Sequence, residues 1–85
     1  MKVTVKYFAS LREVLGAGES FEWTPAGAPT AGALRAWLQA RTEAHATALA
    51  PGRAVRVAID QEMADESTPL QDGAEVAFFP PVTGG

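Results

Sequence analysis

The stretch Thr30-Ala31-Gly32-Ala33-Leu34-Arg35-Ala36-Trp37-Leu38-Gln39-Ala40-Arg41-Thr42-Glu43 decides the fold. Leu34, Trp37 and Leu38 recur at helical spacing, with Ala33 and Ala40 suited to close approach. Thr30 stands where an N-cap belongs, and Gly32 in the first turn costs little. The spacing predicts the chain's main helix, roughly 31 to 43. Trp37 is expected in the core with Leu34 and Leu38. From Ala44 to Leu49 the residues leave open whether the helix continues or frays. Pro51-Gly52 ends it. The loop Pro25-Ala26-Gly27-Ala28-Pro29 separates it from what precedes.

Everything outward from this helix alternates with period two. Val3, Val5 and Tyr7 alternate with Thr4, Lys6 and Phe8, which predicts a strand at the N-terminus. Glu19 to Trp23 predicts a second strand, with Phe21 and Trp23 on one face. The two are expected to pair as a hairpin with a long connection. Within that connection, Leu11, Val14 and Leu15 predict a short helix, with Ser10 as cap and Gly16 as its left-handed stop. Beyond the main helix, Val55, Val57 and Ile59 predict a third strand. Asp60-Gln61 reads as a tight turn and Glu62-Met63-Ala64 as a short fourth strand. The polar stretch from Asp65 to Leu70 is a loop, with room for one helical turn. Asp72-Gly73 is a turn signal, and Glu75 to Phe79 the last strand. One main helix amid strands implies an α+β fold, a mixed sheet with the helix packed across one face.

The sequence has 85 residues, which is one domain: 1–79 as the folded body and 80–85 as an extended tail. With 47% hydrophobic and 20% charged residues it suits a soluble globular domain, not a disordered one. The net charge of -3 and the lack of a Lys/Arg cluster argue against nucleic acid. The absence of cysteine excludes a disulfide scaffold, a thiolate metal site and a cysteine nucleophile. No apolar run approaches a membrane span, and Met1-Lys2-Val3 leads straight into a strand rather than a signal peptide. A cytoplasmic protein without membrane contact is expected. His45, alone among alanines, is expected to face solvent without a catalytic role. Asp65, Glu66 and Glu62 offer too few oxygens at fixed spacing for a metal site. Lys2, Lys6, Arg12, Arg53 and Arg56 read as surface charges.

The chain closes on Phe78-Phe79-Pro80-Pro81-Val82-Thr83-Gly84-Gly85. Pro80 and Pro81 have no N–H for a ladder, so pairing stops, and they stiffen the exit. Residues 80–85 reach at most about 20 Å when extended, far enough to enter another protein. Glycine leaves the terminal acyl carbon unhindered and allows a narrow channel to thread the chain end. Gly85 is therefore the candidate reacting residue, through its carboxylate once activated, and Gly84 gives access. Conversion to a thiocarboxylate makes it a sulfur nucleophile that needs no cysteine. The bland alternative is that a Gly-Gly end is simply frayed. Adjacent strand residues face opposite sides, so one of Phe78 and Phe79 can enter the core while the other faces a partner; the alternative is that both are simply packed. If the first and last strands are neighbours, Phe8 and Phe79 share an apolar interface patch.

The segment Phe8-Ala9-Ser10-Leu11-Arg12-Glu13 and the run from Pro69 to Gly85 resemble the molybdopterin synthase small-subunit family, among the ubiquitin-like β-grasp sulfur carriers. The most specific part is Asp72 to Gly85, ending Phe-Phe-Pro-Pro-Val-Thr-Gly-Gly. The resemblance implies that an E1-like enzyme uses ATP to adenylate the Gly85 carboxylate. A sulfurtransferase then supplies sulfur, leaving a thiocarboxylate. It implies that no cofactor is bound permanently. It also implies that Phe8, Arg12, Phe79, Pro80, Pro81, Val82 and Thr83 meet a large catalytic subunit in a heterotetramer. There sulfur passes to cyclic pyranopterin monophosphate. Where that family often has Asn, this chain has Asp60. Three other readings stay open. One is a sulfur carrier for thiamine-thiazole or amino-acid synthesis. Another is a ubiquitin-like modifier conjugated to lysines through Gly85. The last is a plain binding module with an inert tail.

Overall fold

The alternation in the strands becomes a division between two faces of one sheet. In a computed structural model, which describes residues 1–81, β1 (Lys2–Tyr7) is followed by α1 (Ala9–Leu15), β2 (Gly18–Glu22), α2 (Ala31–Gln39) and α3 (Glu43–Ala48). β3 (Arg56–Ile59), β4 (Glu62–Ala64) and β5 (Ala74–Phe79) complete it. The strand order is β2-β1-β5-β3-β4. The central pair β1 and β5 is parallel, and every other pair is antiparallel. This is the expected α+β, ubiquitin-like β-grasp arrangement. Val3, Val5 and Tyr7 of β1 and Ala74, Val76 and Phe78 of β5 are buried beneath Leu11, Leu34, Leu38 and Leu49. Their neighbours Thr4, Lys6, Glu75, Ala77 and Phe79 take the other face, which carries no helix.

Thr30 caps α2 as expected, its Oγ1 accepting from the N–H of Ala33 at 3.1 Å. The helix differs from expectation in two ways. Its buried stripe is Ala31, Leu34, Arg35 and Leu38, so Arg35 takes the inward slot. Trp37 is 38% exposed and stacks on Phe21 of the edge strand β2, ring centroids 5.0 Å apart. Trp37 also meets the buried Trp23, ring centroids 6.5 Å apart. Arg41 lies over the Phe21 and Trp37 rings. The helix also stops at Gln39 rather than Glu43. Thr42 starts α3 afresh, its Oγ1 accepting from the N–H of His45 at 3.1 Å.

His45 is half-buried, not solvated. Its ring meets Tyr7 edge-on with centroids 6.2 Å apart, and Nδ1 lies 2.7 Å from Thr42 Oγ1. Among the described residues, neither His45 Nε2 nor the buried Tyr7 hydroxyl has a hydrogen-bond partner. Burial, then the Arg41 guanidinium, hold His45 below its ordinary value of 6.5, against a smaller opposite pull from Glu19. The folded state thus binds fewer protons than the unfolded one. Stability is full above 6.5 and is lost as pH falls through the lowered folded value. Thermal unfolding should show Tm falling as pH drops below about 6.5, and His45→Gln should flatten that step.

The junctions are tight. Ser10 does not cap α1; Phe8 occupies the N-cap position in extended backbone, with no side-chain cap. Ala9 then turns the chain at φ 53, left-handed, which costs an alanine about 1–2 kcal/mol. Gly16 stops α1 at φ 88, as its sequence position suggests. Gly18 takes φ 140, where an added Cβ would sit 2.0 Å from the carbonyl oxygen of Val5. Asp60 and Gln61 have φ of 50 and 69, the double positive φ of a tight hairpin turn. Asp60 Oδ1 also accepts from the N–H of Glu75 at 3.0 Å, and the Asp60 N–H donates to Glu75 O at 2.8 Å. Asp60 therefore clips the β3–β4 turn to the start of β5.

Candidate functional site: the open sheet face and the root of the tail

β5 is central, so the tail leaves from the middle of the sheet. On one side, the N–H of Phe8 donates to Phe78 O at 3.2 Å, extending the parallel ladder one step beyond Tyr7. On the other, Phe79 stands opposite Arg56 of β3. Pro80 and Pro81 follow outside the strand and are half-buried. Neither can donate to a ladder, so pairing does not continue past Phe79. Val82, Thr83, Gly84 and Gly85 lie outside the described residues.

The helix-free face brings together what the sequence set apart. Phe8 continues the outward alternation of Thr4 and Lys6 and is 45% exposed. Phe79 lies on the same face and Phe78 is buried, which resolves the adjacent pair. The register adds three residues that sequence reasoning missed. Ala77 stands opposite Ala58, and Ala58 opposite Met63. Met63 is 62% exposed. An apolar surface thus runs from Phe8 through Phe79 and Ala77 to Met63. The signal for Met63 was its parity with Ala58, which becomes readable once the hairpin at Asp60-Gln61 is fixed. Polar groups border this surface: Lys6 stands beside Ala77 in the register and pairs with Glu75 at 3.5 Å, and Thr4 is bonded to Ser20 at 2.8 Å. Arg12 is exposed on α1, one turn beyond Phe8, whose carbonyl its N–H approaches at 3.4 Å.

Beside the root of the tail lies an open cleft of about 520 Å³, lined by Val55, Arg56, Ala64, Asp65, Glu66 and Pro81. Hydrogen bonds from Ser67 and Thr68 hold the Asp65 carboxyl below its ordinary value. Its oxygen is engaged by that turn. Among the described residues, no group of three or more His, Cys, Asp or Glu side chains is placed to hold a metal. None of the helices described is long and apolar enough to cross a membrane. His45 packs on the helix-covered side against Tyr7, opposite the face that carries Phe79. The arrangement therefore sets an apolar surface beside the point where the chain leaves β5.

The ThiS family matches residues 5–85. The molybdopterin synthase sulfur carrier subunit of Escherichia coli K12 is 41% identical over 83 residues, covering 98% of this chain and 99% of that protein. The solved complex of subunits 1 and 2 of molybdopterin-converting factor from Helicobacter pylori 26695 contains a chain of similar structure. That likeness has a TM-score of 0.67 at 28% identity, covering 100% of both chains. Small archaeal modifier protein 1 of H. volcanii is similar with a TM-score of 0.66 at 29% identity, covering 95% of this chain and 98% of that one.

Proposed function

Because the chain belongs to the ThiS family and aligns along nearly its whole length with a molybdopterin synthase sulfur carrier subunit, we propose that it carries sulfur on Gly85 as a thiocarboxylate for molybdopterin synthesis. The observation that carries this reading is the pairing of an apolar, helix-free sheet face with a proline-stiffened exit from the central strand. The face holds a large catalytic subunit, and residues 80–85 reach into it. An E1-like enzyme joins the Gly85 carboxylate to the AMP of ATP, releasing pyrophosphate. Sulfur from a sulfurtransferase, reduced to the sulfide level by a thiol reductant, displaces AMP from the acyl carbon. The thiocarboxylate then gives its sulfur to cyclic pyranopterin monophosphate, and water at the acyl carbon returns the chain to the carboxylate. This chain provides the nucleophile, and the large subunit the catalytic side chains. Phe8, Phe79 and Met63 anchor the contact, with Arg12 and Arg56 at its border.

Intact mass spectrometry of the protein from its own cells tests the chemistry. A species heavier by the difference between sulfur and oxygen, reverting on mild hydrolysis, is the expected result. Finding only the encoded mass, even after incubation with ATP, activating enzyme and sulfur donor, would overturn it. The docking face has its own test. Phe8→Glu and Phe79→Glu should each weaken large-subunit binding by about thirtyfold or more, since each places a charge within an apolar contact. Calorimetric titration reads this directly, and unchanged affinity would remove the face from the account.

The likeness to an archaeal modifier favours a second reading, conjugation to lysines through Gly85. Peptide mapping would then find a lysine-linked adduct ending at Gly85.

A further inference from the structure

β1 passes into α1 with no loop between them, and one residue makes the turn. Phe8 is still extended, at φ -127 and ψ 158, and its N–H is still in the ladder with Phe78 O. Its carbonyl already accepts from the N–H of Leu11 at 3.2 Å and of Arg12 at 3.4 Å. Ala9 joins the two at φ 53. On either side the chain is pinned, by the β5 ladder before it and by buried Leu11 after it. A left-handed residue at such a joint is ordinarily glycine. Here it is alanine, although Gly16 and Gly18 show that this connection uses glycine where positive φ is required.

The two residues differ in stiffness as well as cost. With a Cβ, the left-handed well is small, and the directions of the neighbouring residues are narrowly set. Glycine at the same place occupies a broad region, and the joint can swivel. What the joint aims is Phe8, which among the described residues is 45% exposed on the open face beside the tail root. We infer that Ala9 is a positioning residue: its left-handed, Cβ-bearing backbone fixes the direction in which Phe8 is presented to the large subunit. This rests on the docking face proposed above. The strain is retained because it preorganises the aromatic anchor before the partner arrives.

The test is a double-mutant cycle on the full chain with the large catalytic subunit, using Ala9→Gly, Ala9→Asn and Phe8→Ala. Both substitutions at Ala9 tolerate positive φ, so both variants fold. Ala9→Gly should weaken binding by about threefold or more without lowering Tm, because the anchor loses its fixed aim. Ala9→Asn, which keeps a Cβ and accepts the left-handed region, should bind within about 1.5-fold of the wild type. In the Phe8→Ala background, Ala9→Gly should change affinity by less than about 1.5-fold, which a merely structural role would not produce. Wild-type affinity for Ala9→Gly, or an effect that persists without Phe8, overturns the inference. If the wild-type chain does not bind the large subunit, the docking reading has failed. The inference is then decided by three-bond couplings to Phe8 Cγ. A single χ1 rotamer in the wild type and Ala9→Asn that averages in Ala9→Gly supports it, and equal averaging in all three overturns it.

Discussion

Removing Gly84 and Gly85 should abolish sulfur transfer, by at least about a thousandfold, because nothing else in the chain replaces a covalent sulfur donor. The chain has no cysteine to substitute for it. The same deletion should leave thermal unfolding unchanged, since the last strand ends at Phe79 and the core lies wholly before it. Binding to the large subunit should fall far less than activity, because Phe8, Phe79 and Met63 remain. This split between activity and binding separates a reacting tail from a docking tail. Gly85→Ala is the finer probe: a methyl beside the acyl carbon should slow activation and transfer while keeping a carboxylate at the end. Single-turnover assays with preformed thiocarboxylate distinguish the two steps. Retained sulfur transfer in the deletion variant would return the chain to a plain binding module.

The second large effect concerns stability. Arg35 is 4% exposed, and its guanidinium spans three parts of the chain. Nε donates to Leu49 O at 2.9 Å, and Nη2 to Ala50 O at 2.6 Å and Arg53 O at 3.0 Å. Nη1 meets Glu66 Oε2 at 3.0 Å. One planar fork thus ties α2 to the end of α3, to the turn beyond it and to the loop before β5. Leu49 O also accepts from Gln39 Nε2, and Ala50 O from the N–H of Arg53, so these two keep a partner if Arg35 is lost. Arg53 O is left with none of the bonds described. Arg35→Ala should cost about 3 kcal/mol, from a lost charge-assisted network and the space it vacates. That is a large share of the roughly 4–13 kcal/mol expected for a domain of this size. Arg35→Lys should recover little, since an ammonium cannot span the same acceptors. Glu66→Gln should cost about 1 kcal/mol or less, because the carboxylate is largely exposed. Urea unfolding of the three variants tests the order. A cost below about 1 kcal/mol for Arg35→Ala would assign the stability to the apolar core alone.

Each element whose signal is local was legible in the order of its residues. Val3, Val5 and Tyr7 announced β1 because strand alternation depends on nothing outside the strand. Thr30 announced the start of α2, and Gly16 the end of α1, because caps and positive φ act within one turn. The exit at Pro80-Pro81 was legible for the same reason: proline lacks its N–H in any context. The segment Phe8 to Glu13 and the run into Gly84-Gly85 carried the family resemblance. Tertiary structure decided the rest. Helical spacing alone does not say which flank of α2 faces the core, so Arg35 went inside while Trp37, more exposed, stacked on Phe21. His45 became half-buried because Thr42 starts a separate helix that brings its ring to Tyr7. Met63 joined Phe8 and Phe79 through strand register, and Ala9 turned left-handed because a strand and a helix meet there without a loop. Each of these outcomes depends on residues distant in sequence meeting in space, and the local pattern does not encode that meeting.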